Sequence, residues 1–146
     1  MPYRTVEILL IEDNPDDEEL TVLTLTEARL ANQIFVVRDG AEALNFLFAT
    51  GQYADRNISN QPRLVLLDLK LPKIDGLQVL ERLKADPRTR SIPVVALTSS
   101  REEPDIQRCY ALGVNSYIVK PVDFEQFREA VRQLGMYWLL LNEPPI

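Results

Sequence analysis

Five short apolar runs, at residues 6–11, 34–37, 64–67, 94–97 and 114–119, alternate with stretches in which apolar residues recur at helical spacing. Runs this short and mostly apolar, the first interrupted by Glu7 near its start, predict strands buried on both faces, and such strands come from parallel sheets covered by helices on each side. The order is strand then helix, five times over, which predicts an α/β, doubly wound, five-stranded parallel sheet in the order 2-1-3-4-5. Its strands end at one edge, beside a crevice where the order reverses between the first and third strands. Four runs end there in a polar group: Glu12 and Asp13 after the first, Asp68 after the third, Thr98 after the fourth and Lys120 after the fifth.

Helix starts are marked by capping pairs at Asp16 with Glu19, Asp39 with Glu42, Asp75 with Gln78, Ser100 with Glu103 and Asp123 with Gln126. The first helix offers Leu20, Leu23 and Leu30, the second Ala43, Leu44 and Leu47, and the third Val79, Leu80 and Leu83, stopped by Pro87. Pro104 is confined to the first turn of the fourth helix, and Phe124, Phe127, Val131, Leu134 and Trp138 form a stripe on the last. Residues 51–62 change to Gly, Asn, Ser, Arg and Pro and read as an extended loop. A six-stranded nucleotide fold needs only one more unit. However, neither G-x-G-x-x-G nor G-x-x-x-x-G-K-[ST] follows the first run, so a dinucleotide or Walker-type site lacks its phosphate cradle.

Composition narrows the chemistry. At 146 residues and 46% hydrophobic, the chain suits one core and a single domain over 1–146. A formal net charge of -6, with no basic block, opposes nucleic acid as a partner. Cys109 is the lone cysteine and there is no histidine, which excludes an internal disulfide, a thiolate cluster and histidine-based catalysis within these residues. No basic signal-peptide start and no run of roughly 20 apolar residues is present, so a cytoplasmic protein without a membrane span is expected.

Glu12, Asp13 and Asp68 brought to one edge repel one another unless a cation intervenes. A divalent metal relieves the repulsion and leaves coordination positions for water or a phosphate, and all-oxygen donors favour Mg²⁺, with Mn²⁺ as a substitute. Asp13 and Asp68 are read as direct ligands, and Glu12 as direct or water-mediated. Asp68 also offers a carboxylate oxygen that can attack an activated phosphorus if the gathering charge is neutralised, and Lys120 and Thr98 supply a cation and a hydroxyl for that task. Taken singly, each residue has a plainer explanation as a helix cap, a strand former or a solvated terminus. The shared edge is what those explanations leave out.

Together, Glu12-Asp13, the segment Asp68-Leu69-Lys70-Leu71-Pro72-Lys73-Ile74-Asp75-Gly76, Thr98-Ser99-Ser100 and Tyr117-x-x-Lys120-Pro121 resemble the receiver domains of two-component response regulators, over roughly residues 6–134. The resemblance implies the flavodoxin-like (βα)5 receiver fold, with Asp68 as phosphoacceptor and Glu12 and Asp13 as the acidic Mg²⁺ pair. It implies that Lys70 ligates the metal through its backbone carbonyl and that Lys120, joined to Pro121 by a cis bond, is the charge partner of the phosphate. Thr98 becomes the switch hydroxyl, and Tyr117 the switch aromatic that turns inward when Thr98 is drawn to the phosphoryl group. The implied reaction is transfer from a phosphohistidine on a sensor histidine kinase to Asp68, followed by hydrolysis. The side chain of Lys70 lies where it can influence attacking water or docking, and the small Ser100 leaves the phosphoryl group open to water, so measurable autodephosphorylation is expected.

Further likenesses, in Gly51-Gln52-Tyr53, Ile92-Pro93-Val94-Val95, Tyr110-x-x-Gly113-Val114-Asn115-Ser116-Tyr117 and Tyr137-Trp138-Leu139-Leu140, are to small stand-alone receivers of bacteria and cyanobacteria. Some of these work with phytochrome-type sensor kinases, which implies such a partner here. Around the last turns, Met136, Tyr137, Trp138, Leu139 and Leu140 make the helix end at 136–141 apolar on all sides, so it is expected to be covered. A homodimer seam is the expected cover; folding back over the chain's own helices is the monomeric alternative. Only 142–146 follow, so no output domain is expected and the signal leaves through surfaces, to an unidentified downstream protein. Two other functions share the same physics: a phosphorylation-independent interaction module, and a metal-dependent phosphatase acting on a small substrate. The phosphatase needs a further acid or base and a substrate pocket that the sequence does not display.

Overall fold

The computed structural model of the chain describes residues 7–27, 34–99 and 105–134. In order, the elements are β1 (Ile8–Ile11), α1 (Pro15–Glu27), β2 (Ile34–Val37), α2 (Gly40–Phe48), a short 3₁₀ turn (Gly51–Tyr53), β3 (Leu64–Asp68), α3 (Gly76–Ala85), β4 (Val94–Thr98), α4 (Asp105–Ala111), β5 (Ser116–Val119) and α5 (Phe124–Gln133). All four strand pairs are parallel, and the order is β2-β1-β3-β4-β5, as expected. No helix among the described residues is long and apolar enough to cross a membrane.

Burial explains why the strand runs lack polar alternation. Leu9, Ile11, Val65, Leu67, Val94 and Ala96 face one layer, where Phe46 of α2, Leu80 of α3 and Cys109 of α4 meet them. Their neighbours Ile8, Leu10, Leu64, Leu66, Val95 and Leu97 face the other, against Leu25 of α1 and Phe127 and Val131 of α5. Each such side chain contributes about 1.5–3 kcal/mol on burial, so neither face tolerates a charge. Three expected core positions face outward instead. Leu20 and Leu23 of α1 are 47% and 49% exposed while Leu25 is buried, and Phe124 at the start of α5 is 39% exposed.

Helix caps set several boundaries. Asn14, not Asp16, caps α1: its Oδ1 accepts the N–H groups of Asp16 at 2.9 Å and Asp17 at 3.0 Å. Pro15 then takes the first helical position, where its missing N–H is harmless. Asp75 and Gln78 form the reciprocal capping box, and Asp39 and Asp123 accept from Glu42 and Gln126 as expected. Gln126 does not close the reciprocal box, however: its amide donates to Asp123 Oδ2 at 3.2 Å and does not accept the Asp123 N–H. Its amide lies along Val119, accepting that residue's N–H at 2.9 Å and donating to its carbonyl at 2.8 Å, as a neighbouring strand would. β5 starts at Ser116, later than expected, because Val114 N–H still bonds the Cys109 carbonyl and Asn115 pairs sideways with Val94. Ser100, Glu103, Pro104, Leu30 and residues 136–141 lie outside the described residues.

The expected 51–62 loop is fastened to α2. The Tyr53 hydroxyl donates to Glu42 Oε2 at 2.6 Å, and the buried Arg56 guanidinium sits 3.8 Å from the Phe46 ring centroid while donating to the carbonyls of Phe46 and Asn60. At the helix end before it, Ala49 adopts a left-handed φ of 54°, which its Cβ disfavours. Ala49→Gly is expected to raise stability by about 0.5–1 kcal/mol in urea unfolding; no gain would show the turn to be relaxed as it stands.

Candidate functional site

Hydrogen-bond ladders carry the key side chains just past their strands. Glu12 N–H bonds the Val37 carbonyl at 3.0 Å, extending the β1–β2 ladder and leaving the Glu12 side chain buried at the point where strand order reverses. Lys120 N–H bonds the Thr98 carbonyl at 2.8 Å, so β4 sets the position of Lys120 as well. The Lys120–Pro121 peptide is cis. Asp68 ends β3 almost wholly buried: Oδ1 accepts the Lys70 N–H at 3.0 Å, and Oδ2 accepts from Lys120 Nζ at 3.0 Å. Gly76 is required beneath it, since a Cβ there would overlap the Asp68 carbonyl oxygen. α3 therefore starts directly against the backbone of Asp68.

Beside them is a cleft of about 190 Å³, lined by Asp13, Asp17, Asp68, Lys70, Thr98 and Lys120 among others. Glu12, Asp13 and Asp68 each offer a carboxylate oxygen, and the three atoms lie within 4.8 Å of one another. Burial, joined by the adjacent Asp68, pushes Glu12 up to about 8 against the pull of Lys120. For Lys120, burial acts to lower the pKa, but Glu12, Asp68 and Asp17 outweigh it and raise the ammonium above its ordinary value. Glu12 Oε2 is buried, stands 2.9 Å from Lys120 Nζ, and receives no directed hydrogen bond. A crowded, all-oxygen, partly orphaned acidic trio fits a hard divalent cation such as Mg²⁺ or Mn²⁺.

The structure thus brings together Glu12, Asp13, Asp68, Thr98 and Lys120, with Lys70 at the cleft margin. Tyr117 stands apart from this cleft, partly buried and edge-on to Tyr110 at a centroid distance of 6.3 Å. Met136, Tyr137, Trp138, Leu139 and Leu140 lie outside the described residues. Sequence reading missed Asp17, whose Oδ2 accepts a third hydrogen bond from Lys120 at 3.0 Å. Its place in the first turn of the helix that directly follows Asp13 was the available signal.

The family model of the response regulator receiver domain matches residues 8–132. The chain belongs to this family. Among similar receivers, the probable methanogenesis regulatory protein FilR2 of Methanothrix harundinacea is 40% identical, over 94% of this chain and 86% of its own length. Response regulator Rcp1 of Synechocystis sp. is 38% identical over 90% of this chain and 88% of its own. Its Mn²⁺-bound structure superposes with a TM-score of 0.74, covering 97% of this chain and 99% of that one. The bacteriophytochrome response regulator AtBRR is 55% identical, with a TM-score of 0.86 over 97% of this chain and all of its own, 100%. As a receiver, the chain works with a histidine kinase in a phosphorelay.

Proposed function

We propose that Asp68 is the phosphoacceptor of this receiver and that Lys120 is the fixed cation that makes the transfer feasible. The observation that carries the reading is the 3.0 Å contact from Lys120 Nζ to Asp68 Oδ2 at the edge that also holds Glu12 and Asp13. A carboxylate oxygen of Asp68 attacks the phosphorus of a phosphohistidine, the P–N bond breaks, and the imidazole leaves with a proton. No histidine occurs among the 146 residues, so the donor lies outside them. Glu12, Asp13 and Asp68, with the Lys70 carbonyl, would hold a divalent cation, which would supply charge neutralisation for the phosphoryl oxygens. Lys120 opposes the remaining charge, Thr98 donates its hydroxyl to the phosphoryl group, and Tyr117 responds by turning inward. Water then hydrolyses the acyl phosphate, breaking its P–O bond and returning Asp68 as a carboxylate with release of inorganic phosphate.

Incubation with acetyl phosphate and Mg²⁺, read by intact mass, is expected to add one phosphoryl group and to add none in EDTA. A folded protein that takes up no phosphoryl group would instead be a phosphorylation-independent interaction module. Sustained turnover of an unrelated phosphoester with Asp68 replaced would make it a phosphatase.

The partner kinase in this reading is phytochrome-type, supported by the likeness to the bacteriophytochrome response regulator AtBRR. Transfer from a purified phytochrome kinase that outpaces transfer from unrelated sensor kinases supports the pairing; equal rates would sink it. The chain forms a homodimer through Met136, Tyr137, Trp138, Leu139 and Leu140, a reading supported by their apolar character. Sedimentation tests it: W138E or L139E is expected to yield monomers, and a monomeric parent ends the idea.

A further inference from the structure

Lys120 has three N–H donors, and three different carboxylates take them. Glu12 Oε1 accepts at 3.2 Å, Asp68 Oδ2 at 3.0 Å and Asp17 Oδ2 at 3.0 Å. Glu12 and Asp68 belong to the trio whose oxygens can share a cation; Asp17 does not. Asp17 is also the most accessible of the three, its side chain 31% exposed against 0% for Glu12 and 6% for Asp68. Its place is built rather than incidental, because Asn14 Oδ1 caps the helix turn that carries it and accepts the N–H of Asp17 itself.

The geometry points to Asp17 as a positioning residue that competes with the phosphoryl group for Lys120 and so restrains both the gain and the retention of phosphate at Asp68. The inference rests on Asp68 being the phosphoacceptor. An ammonium is a compact charge with a fixed number of donors, so a hydrogen bond given to Asp17 is withheld from an incoming phosphoryl oxygen. When phosphoryl oxygens enter the cleft, one carboxylate must yield its place on Lys120. Glu12 is enclosed and Asp68 is the reacting group, which leaves Asp17, free to turn into solvent. Its negative charge also lines the cleft that an anionic donor must enter. Removing that charge favours phosphoryl uptake and slows loss, each by roughly two- to fivefold, the scale of a partly exposed ion pair.

The test compares the full chain with its D17N and D17E variants in acetyl phosphate and Mg²⁺, following uptake and decay of the phosphoryl group by intact mass. D17N is expected to be faster in uptake and slower in decay, while D17E, which restores a carboxylate on the same turn, stays close to the parent. A second measurement needs no phosphorylation: ¹⁵N-lysine NMR of the Lys120 ammonium, whose hydrogen exchange with water is expected to quicken in D17N. A parent that accepts no phosphoryl group would overturn the assignment of Asp68, and the exchange measurement would still judge Asp17. Unchanged exchange in D17N, or uptake and decay equal to the parent's, overturns the positioning role.

Discussion

Asp68→Asn is expected to take phosphoryl incorporation below detection while leaving the protein folded. The substitution keeps the shape of a side chain that is only 6% exposed, and an amide oxygen can still accept the Lys70 N–H that holds Asp68 Oδ1 at 3.0 Å. What disappears is the anionic oxygen that attacks phosphorus, for which an amide is no substitute. Lys120 retains Glu12 and Asp17 as acceptors, and one source of the upward push on Glu12 is removed. The stability change is therefore expected to stay within about 1 kcal/mol. Intact mass after acetyl phosphate treatment, with thermal unfolding as the control for folding, is the check. A phosphoryl group still added to folded Asp68→Asn would move the acceptor elsewhere in the chain.

Lys120→Met has the largest expected effect on the fold itself. Its ammonium is the cation hydrogen-bonded to Glu12, Asp17 and Asp68, and the Glu12 side chain is 0% exposed. A methionine fills similar volume but leaves enclosed carboxylates facing one another with no counter-charge. Removing one partner from a buried ionic group costs about 3–5 kcal/mol, which lowers the midpoint of thermal unfolding by roughly 10–15 °C in a chain of this size. Mg²⁺ is expected to raise that midpoint more in Lys120→Met than in the parent, since the cation supplies the missing charge. Equal unfolding temperatures without metal would mean that the lysine is not what keeps the trio together.

The strands were legible because burial on both faces leaves no room for polar residues, so Leu64, Val65, Leu66 and Leu67 announce themselves. The site was legible for a related reason: Glu12, Asp68, Thr98 and Lys120 are the polar residues on which four of the runs end, and the parallel order brings all four to one edge. Capping was legible where one residue could do it, as at Asp75, and ambiguous at the first helix. There Asn14 and Asp16 both have suitable side chains, and Pro15 at the first helical position decides for Asn14. Arg56 was hidden by its own chemistry, because an arginine among Asn and Ser reads as solvated loop until Phe46 and two carbonyls enclose it. Asp17 was hidden among four acidic residues of which only one turns toward Lys120.

The pairing of Gln126 with Val119 bears on how other proteins can be recruited. β5 is one of the two edge strands, and an edge strand ordinarily offers its backbone as a template on which a partner's extended peptide can be laid. Here, at the end nearest the cleft that holds Asp68 and Lys120, that template is already occupied by a side chain from the same molecule. A binding protein cannot enlist this stretch by adding a strand unless Gln126 first withdraws. Recognition beside the cleft thus falls to side chains and their shape, the features a phosphoryl group can rearrange, and not to main-chain hydrogen bonds that any peptide could supply.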